Sequence, residues 1–300
     1  MIPVWILGCA SEPPSVAVDP TVSTVPTVPD DAPWVVEDTA AEVAVALDPI
    51  VDAVQDAILR AATFDPSPVL DGYRALAADG DAGCPTRFVN DGVAYWLDDC
   101  TSDVGTAFSG FGVDDLTVDP ASGLTVETIG GVGSISAADG AFVTFDGYVQ
   151  VASADDGYVR STTILVAGEF ATDAASASGT WVEEGVVPNL VVARYEIGGL
   201  GTAAIVTGTL EGLPGGWSVV AFDEATLIEP ATGLGDCGDE PAGSISVRTA
   251  DGSWADIVFD PVVGAEAVET ADPAACDGCG QVWHDGVDVG QACFAFDAWR

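Results

Sequence analysis

Phe142-Val143-Thr144-Phe145, followed by Asp146-Gly147, and Tyr158-Val159-Arg160-Ser161-Thr162, preceded by Asp156-Gly157, are the stretches on which the reading of this chain turns. Their side chains repeat with a period of two, which belongs to a strand with one face buried and one face wet. β-Branched and aromatic residues fill the runs, and Asp-Gly suits the positive φ angles of a tight hairpin turn. The same signature recurs outward from this point. Asn189 to Tyr195, Gly216 to Phe222 and Ser244-Ile245-Ser246-Val247-Arg248 are further runs. Asp139-Gly140, Gly198-Gly199, Asp251-Gly252 and Asp285-Gly286 are further breaks. Turn signals spaced roughly 8 to 15 residues apart between such runs predict an antiparallel meander. The expected fold class is therefore mainly β, with a short helical segment at the N-terminal side. Period alone leaves the closure open between one curved sheet, a sandwich and an open barrel. No repeat is regular enough for a propeller or a β-helix.

Upstream of the strands the period changes. Residues 38–78 form the helical region, and Thr39 is placed to cap its first turn. Asp48-Pro49 supplies a cap residue and a proline at the first helical position. Ile50, Val54, Ala57, Ile58 and Ala61 then share one face. Ser67-Pro68 repeats the start signal, Leu70, Tyr73 and Ala77 continue it, and Asp79-Gly80 ends it. An apolar face of this kind is expected to lie on the sheet.

Charge narrows the function classes. The chain has 48 acidic residues against 7 basic ones, a formal net charge of −41, and no lysine. That field repels phosphate backbones, which excludes nucleic acid as a partner. Base composition of a GC-rich genome would deplete lysine but does not explain why arginine fails to replace it. The acidic excess reads as a surface adapted to high salt. A mean hydropathy of +0.35 comes largely from Ala and Val. No stretch approaches the roughly 18 to 20 consecutive apolar residues of a spanning helix.

The N-terminus carries a different signal. Ile6-Leu7-Gly8-Cys9 resembles the lipobox of bacterial lipoproteins, a family in which the cysteine becomes the lipidated first residue of the mature protein. Eight residues without a basic one precede it, short of a full signal peptide, so the true start is expected upstream of Met1. Pro13, Pro14, Pro20, Pro26, Pro29 and Pro33 mark an extended tether. The expected organisation is a truncated signal and lipobox over residues 1–9, a Pro-rich disordered tether over 10–35, a helical segment over 36–80, and a disulfide-stapled antiparallel β domain over 81–300. Cysteine parity agrees. Of seven cysteines, assigning Cys9 to lipid leaves Cys84, Cys100, Cys237, Cys276, Cys279 and Cys293, an even set for three bridges in an oxidising compartment. Cys84 and Cys100 bracket a loop of 17 residues around Tyr95 and Trp96. A bridge there is worth about 3 kcal/mol in the chain-entropy model. The other four allow three connectivities. Cys276, Cys279 and Cys293 sit around Asp285-Gly286, where a single bulge would change which cysteines face each other.

Cys84-Pro85 with Trp96 and Cys100, and the tail Cys276-Asp277-Gly278-Cys279-Gly280 ending at Cys293, resemble Asp/Gly-rich bacterial lipoproteins of uncharacterised function. The resemblance spans residues 84–300 and implies a structural frame, with no activity attached.

Several motifs imitate chemistry. Cys276-x-x-Cys279 with His284, Cys293 and Cys237 has zinc-ligand types but lacks a second paired motif, and thiols in an oxidising compartment are more often bridged. A redox Cys-x-x-Cys needs a helix after its first cysteine, whereas Gly280-Gln281-Val282-Trp283 reads as strand. His284 is the sole histidine and reads as a turn residue beside Asp285-Gly286. Gly199-Leu200-Gly201-Thr202 resembles a dinucleotide fingerprint, but strand residues Ile205-Val206-Thr207 follow where a helix must begin. Asp79-Gly80-Asp81 resembles the start of a calcium loop, but its twelfth position is Asn90 rather than Glu. Looser calcium sites at Asp114-Asp115 or Asp155-Asp156 stay open. No residue is assigned a catalytic or metal-binding role, and no cofactor is expected. The expected role is non-enzymatic, structural or binding, for a protein lipid-anchored to the cell envelope, at the outer membrane or cell surface. A secreted hydrolase using Asp or Glu carboxylates, and a calcium-dependent adhesion or recognition module, are the alternatives.

Overall fold

The computed structural model describes residues 47–90, 92–172, 185–213, 217–230, 241–249, 252–259 and 278–294. The chain divides into Met1–Val43 and Ala44–Arg300. Cys9, the proline-rich segment, Thr39, Cys237 and Cys276 lie outside the described residues.

Two helices come first, α1 (Asp48–Ala62) and α2 (Ser67–Ala77). The face expected for α1 is the face it buries: Ile50, Val54, Ala57, Ile58 and Ala61. In α2, Leu70, Tyr73 and Ala77 are buried as their spacing requires. The starts differ by one residue from expectation. Leu47 and Pro66 stand at the N-cap positions without a side-chain cap bond, and Asp48 and Ser67 fall inside the first turn. With no side-chain cap bond to fix the start, each helix extends one residue further toward the N-terminus than the cap signal placed it.

The rest is strand: β1 (Thr86–Asn90), β2 (Val93–Leu97), β3 (Cys100–Thr101), β4 (Ala107–Asp119), β5 (Leu124–Ser136), β6 (Phe142–Asp155) and β7 (Val159–Thr172). There follow β8 (Val187–Ile197), β9 (Gly201–Glu211), β10 (Trp217–Pro230), β11 (Ala242–Thr249), β12 (Trp254–Phe259), β13 (Cys279–His284) and β14 (Val287–Cys293). They form one sheet in the order β1-β2-β4-β5-β6-β7-β8-β9-β10-β11-β12-β13-β14, with the short β3 beside β4. Every described pairing is antiparallel between successive strands of that path, as in β6 on β7. Among the described residues the meander is thus an open curved sheet ending at β1 and β14, and neither a sandwich nor a barrel.

Alternation sets the two faces. Val143, Phe145, Val149, Ile164, Val166 and Val192 point inward and are buried. α2 packs on β5 to β7 and α1 on β8 to β11, so both helices cover the inner face. The helix C-terminal carbonyls, which have no intrahelical donor, are met from the sheet. The Arg194 guanidinium in β8 donates to the Ala62 carbonyl at 2.8 Å and the Phe64 carbonyl at 2.5 Å. The Arg87 guanidinium in β1 donates to the Ala77 carbonyl at 2.6 Å.

One expected break is not a break. Asp146-Gly147 lies in the interior of β6. Gly112 pairs with Gly131, Gly131 with Gly147, and Gly147 with Gly168, so a row of glycines crosses four strands. Gly147 has φ 148°, and a Cβ on it would sit inside the Ala167 carbonyl oxygen. A Cβ on Gly112 would strike the Trp96 ring. Glycine kinks of this kind bend a sheet without ending its strands. The crease seats Trp96, and the aromatic core beneath α2 builds on it.

Candidate functional site

Residues capable of chemistry gather at three places: the corner between α2 and the first strands, the last hairpin, and the outer face of β1, β2 and β4.

At the corner, Cys84 and Cys100 are joined with Cα atoms 5.8 Å apart, the pairing expected from their bracketing of the loop. Tyr73 is fully buried, and its hydroxyl accepts from the Trp96 Nε1–H at 2.6 Å while facing the Val113 carbonyl at 3.4 Å. Burial pushes this phenol well above its ordinary range. Trp96 meets Phe108 and Phe145 edge to face, and Tyr73 meets Phe145 likewise. Such contacts add about 0.5 to 1.5 kcal/mol each beyond area burial. Polar tips on a rigid aromatic core satisfy each other here and leave no reactive group exposed.

Asp79 and Asp81, the start of the apparent calcium loop, are engaged by the protein. Asp81 accepts from the Asp103, Gly83 and Cys84 backbone amides, at 2.6, 2.7 and 2.9 Å, and these bonds hold its carboxyl below the usual range. Asp79 accepts from the Thr106 hydroxyl at 2.8 Å. Both carboxylates therefore pin the segment after α2 to the loop before β4. Asp155 and Asp156 do the same work at the turn into β7. Asp156 accepts from the Val159 and Tyr158 amides at 2.7 and 2.9 Å, and Asp155 accepts from Gly157 at 2.8 Å. These bonds hold both carboxyls below the usual range. Asp114 behaves differently: half buried near Arg87, its carboxyl is pushed up by desolvation. Among the described residues no group of three His, Cys, Asp or Glu is arranged to hold a metal ion.

In the last hairpin, Asp285 and Gly286 have φ 49° and 80°, the doubly positive turn that Asp-Gly suits. His284 ends β13 opposite Val287, with Nδ1 3.7 Å from the Asp285 carboxylate. A bulge lies in this ladder: Trp283 pairs with Asp288, but Val282 pairs with Gly290. The extra residue shifts the remaining register by one and sets Cys279 opposite Cys293, which are bridged. Cys279 is thus a disulfide sulfur, and neither zinc nor Cys-x-x-Cys redox chemistry has its thiolate. Gly199 and Leu200 form the turn between β8 and β9, so the dinucleotide resemblance ends there.

Two features went unread in the sequence. One is the pair of arginines that cap the helices; Arg194 stands at an inward position of the run Asn189 to Tyr195, a charge where alternation puts core. The other is an aromatic ladder on the outer face. Phe88 stacks on Tyr95 with ring centres 5.4 Å apart, and Tyr95 on Phe111 at 5.8 Å.

Cys84–Cys100 and Cys279–Cys293 are paired; Cys237 and Cys276 lie outside the described residues, and cysteine parity predicts a bridge between them. Non-reducing mass spectrometry of the purified chain should find all three bridges and no free thiol among these six cysteines. Stoichiometric zinc, or free thiols at Cys276 and Cys237, would overturn that expectation.

No family model, curated protein or solved structure matches this chain.

Proposed function

We propose that the chain is a lipid-anchored extracytoplasmic protein, held through Cys9, whose stapled sheet serves a non-enzymatic structural or binding role at the cell envelope. The observation that carries this is the pairing of Cys84 with Cys100 and of Cys279 with Cys293. Structural bridges of this kind persist in oxidising compartments and are rare in the cytosol. They also leave Cys9 as the odd cysteine, behind Ile6-Leu7-Gly8 and ahead of a proline-rich stretch. Among the described residues no helix is long and apolar enough to cross a membrane, so attachment in this reading is by lipid. A single acyl chain binds a bilayer only marginally, and stable anchoring takes more than one.

A non-enzymatic role fits the carboxylates. Those with lowered pKa cap turns, where hydrogen bonds hold them ionised and occupied. The test is metabolic labelling of the full-length gene product with a fatty-acid analogue in its native host. Label should enter the wild-type chain and be lost in Cys9→Ser. Label retained in Cys9→Ser, or absent from wild type, would sink the anchor assignment.

A further inference from the structure

The two described bridges stand in different surroundings. Cys84 is 3% exposed, and Cys100 packs against the core beside it. A thiol that reaches either sulfur must first part the residues packed there. Cys279 and Cys293 face each other at the open end of the last hairpin. Cys279 is 8% exposed, but Cys293 is exposed and lies on β14, where the path of the sheet ends. Exchange at a disulfide is an in-line displacement: incoming sulfur, attacked sulfur and leaving sulfur share one axis. The Cys279–Cys293 bond runs from β13 to β14, so its continuation past Cys293 leaves the sheet. No described strand pairs with β14 on that side.

The end of β14 also has little behind it. Gln291, Ala292 and Cys293 face the start of α1, at Leu47 and Val51, across an open cavity of about 330 Å³. The ladder above the bridge is interrupted by the bulge between Val282 and Trp283. Directly after the bridge, Phe294 is buried edge to face on Phe259, with ring centres 5.4 Å apart, and its amide donates to the Gly278 carbonyl at 2.9 Å. The bridge therefore fixes the residue that closes the core at this end of the sheet.

We propose that Cys279–Cys293 is a thiol-exchange site, a latch opened by a dithiol reductant acting at Cys293, while Cys84–Cys100 remains the permanent staple. One thiolate of the reductant bonds to Cys293 Sγ as the Cys279–Cys293 bond breaks, and Cys279 leaves as a thiolate that takes up a proton. The second thiol of the reductant loses its proton, attacks its own sulfur in the mixed disulfide and releases Cys293, which is protonated in turn. Two electrons and two protons pass to the protein, and the dithiol becomes an intramolecular disulfide. Opening removes the covalent tie between β13 and β14 and frees Phe294 to withdraw from Phe259. The effect is local, because β4 to β9 pair with one another without it. In the oxidising compartment proposed above, the bond stays closed until such a reductant is delivered.

The test uses the whole chain carrying Cys9→Ser, under native conditions, with dithiothreitol as the dithiol. Thiols formed at successive times are trapped with iodoacetamide, and each cysteine is followed in its own peptide by mass spectrometry. Cys279 and Cys293 should be alkylated together, at least about tenfold faster than Cys84 and Cys100. In the chain opened at this one bridge, amide hydrogen exchange should rise in β13 and β14 and stay unchanged in β4 to β7. Opening of both bridges at one rate, as when global unfolding exposes them, overturns the proposal. So does earlier opening of Cys84–Cys100, or protection of β13 and β14 that survives selective reduction unchanged.

Discussion

Gly147→Ala should cost more than about 4 kcal/mol of stability, a loss large enough to unfold many domains. The cause is geometric. Gly147 sits in the glycine row with φ 148°, and a Cβ there would collide with the Ala167 carbonyl oxygen and the Gly168 Cα of the neighbouring strand. Backbone cannot step aside as a flexible side chain can, so β6 and β7 must separate. They carry a long ladder that seats Phe145, Val149 and Val166 in the core. Gly140 is the control. It has φ 100° in the turn between β5 and β6, but nothing lies within reach of an added Cβ. Gly140→Ala should therefore cost only the backbone preference, about 1 to 2 kcal/mol. Urea unfolding of the two variants measures the difference. Equal losses would mean that the crease is tolerant and that positive φ alone explains both.

Sodium or potassium chloride should raise the denaturation midpoint substantially between low and molar concentration. A net charge of −41 repels itself more in the folded chain than in an expanded one. The screening length is about 30 Å at 0.01 M and about 3 Å at 1 M, so the repulsion felt across the sheet nearly vanishes over that range. Local pairing offsets little of it. Arg60, Arg74 and Arg160 form ion pairs, but each has at least one exposed partner, and three such pairs are few against 48 carboxylates. Arg87 and Arg194 direct their guanidinium groups to carbonyls, and Arg248 lies over the Trp254 ring at 5.5 Å. A variant with about ten surface Asp changed to Asn should show a shallower salt slope, because its self-repulsion is smaller. The substituted positions must avoid Asp79, Asp81, Asp155 and Asp156, whose carboxylates hold turns. A midpoint flat in salt, or equal slopes in parent and variant, would remove repulsion as a determinant of stability.

The strand runs were legible because alternation is a local property: each residue of Ser244 to Arg248 faces a side fixed by its neighbours. So were the helices, since the face of α1 follows from spacing alone. Cys84–Cys100 was legible because only a short segment separates the two cysteines. Asp146-Gly147 was misread for an equally local reason. Asp-Gly favours positive φ, and sequence cannot tell whether that φ turns the chain or creases a strand whose glycine neighbours come from other strands.

By itself, then, the amino-acid sequence determined the class of fold, the burial of the helix faces and the overall field of charge, all of which depend on near neighbours or on sums. The tertiary structure decided what depends on register between distant residues. The glycine row aligns only when β4 to β7 pair. One bulge decides that Cys293 rather than Ala292 faces Cys279. Arg194 finds the end of α1 across 132 residues of chain. Openness, too, was a tertiary outcome: alternation gives each strand two faces, but only the pairing order shows that, among the described residues, the path ends at β1 and β14 without joining them.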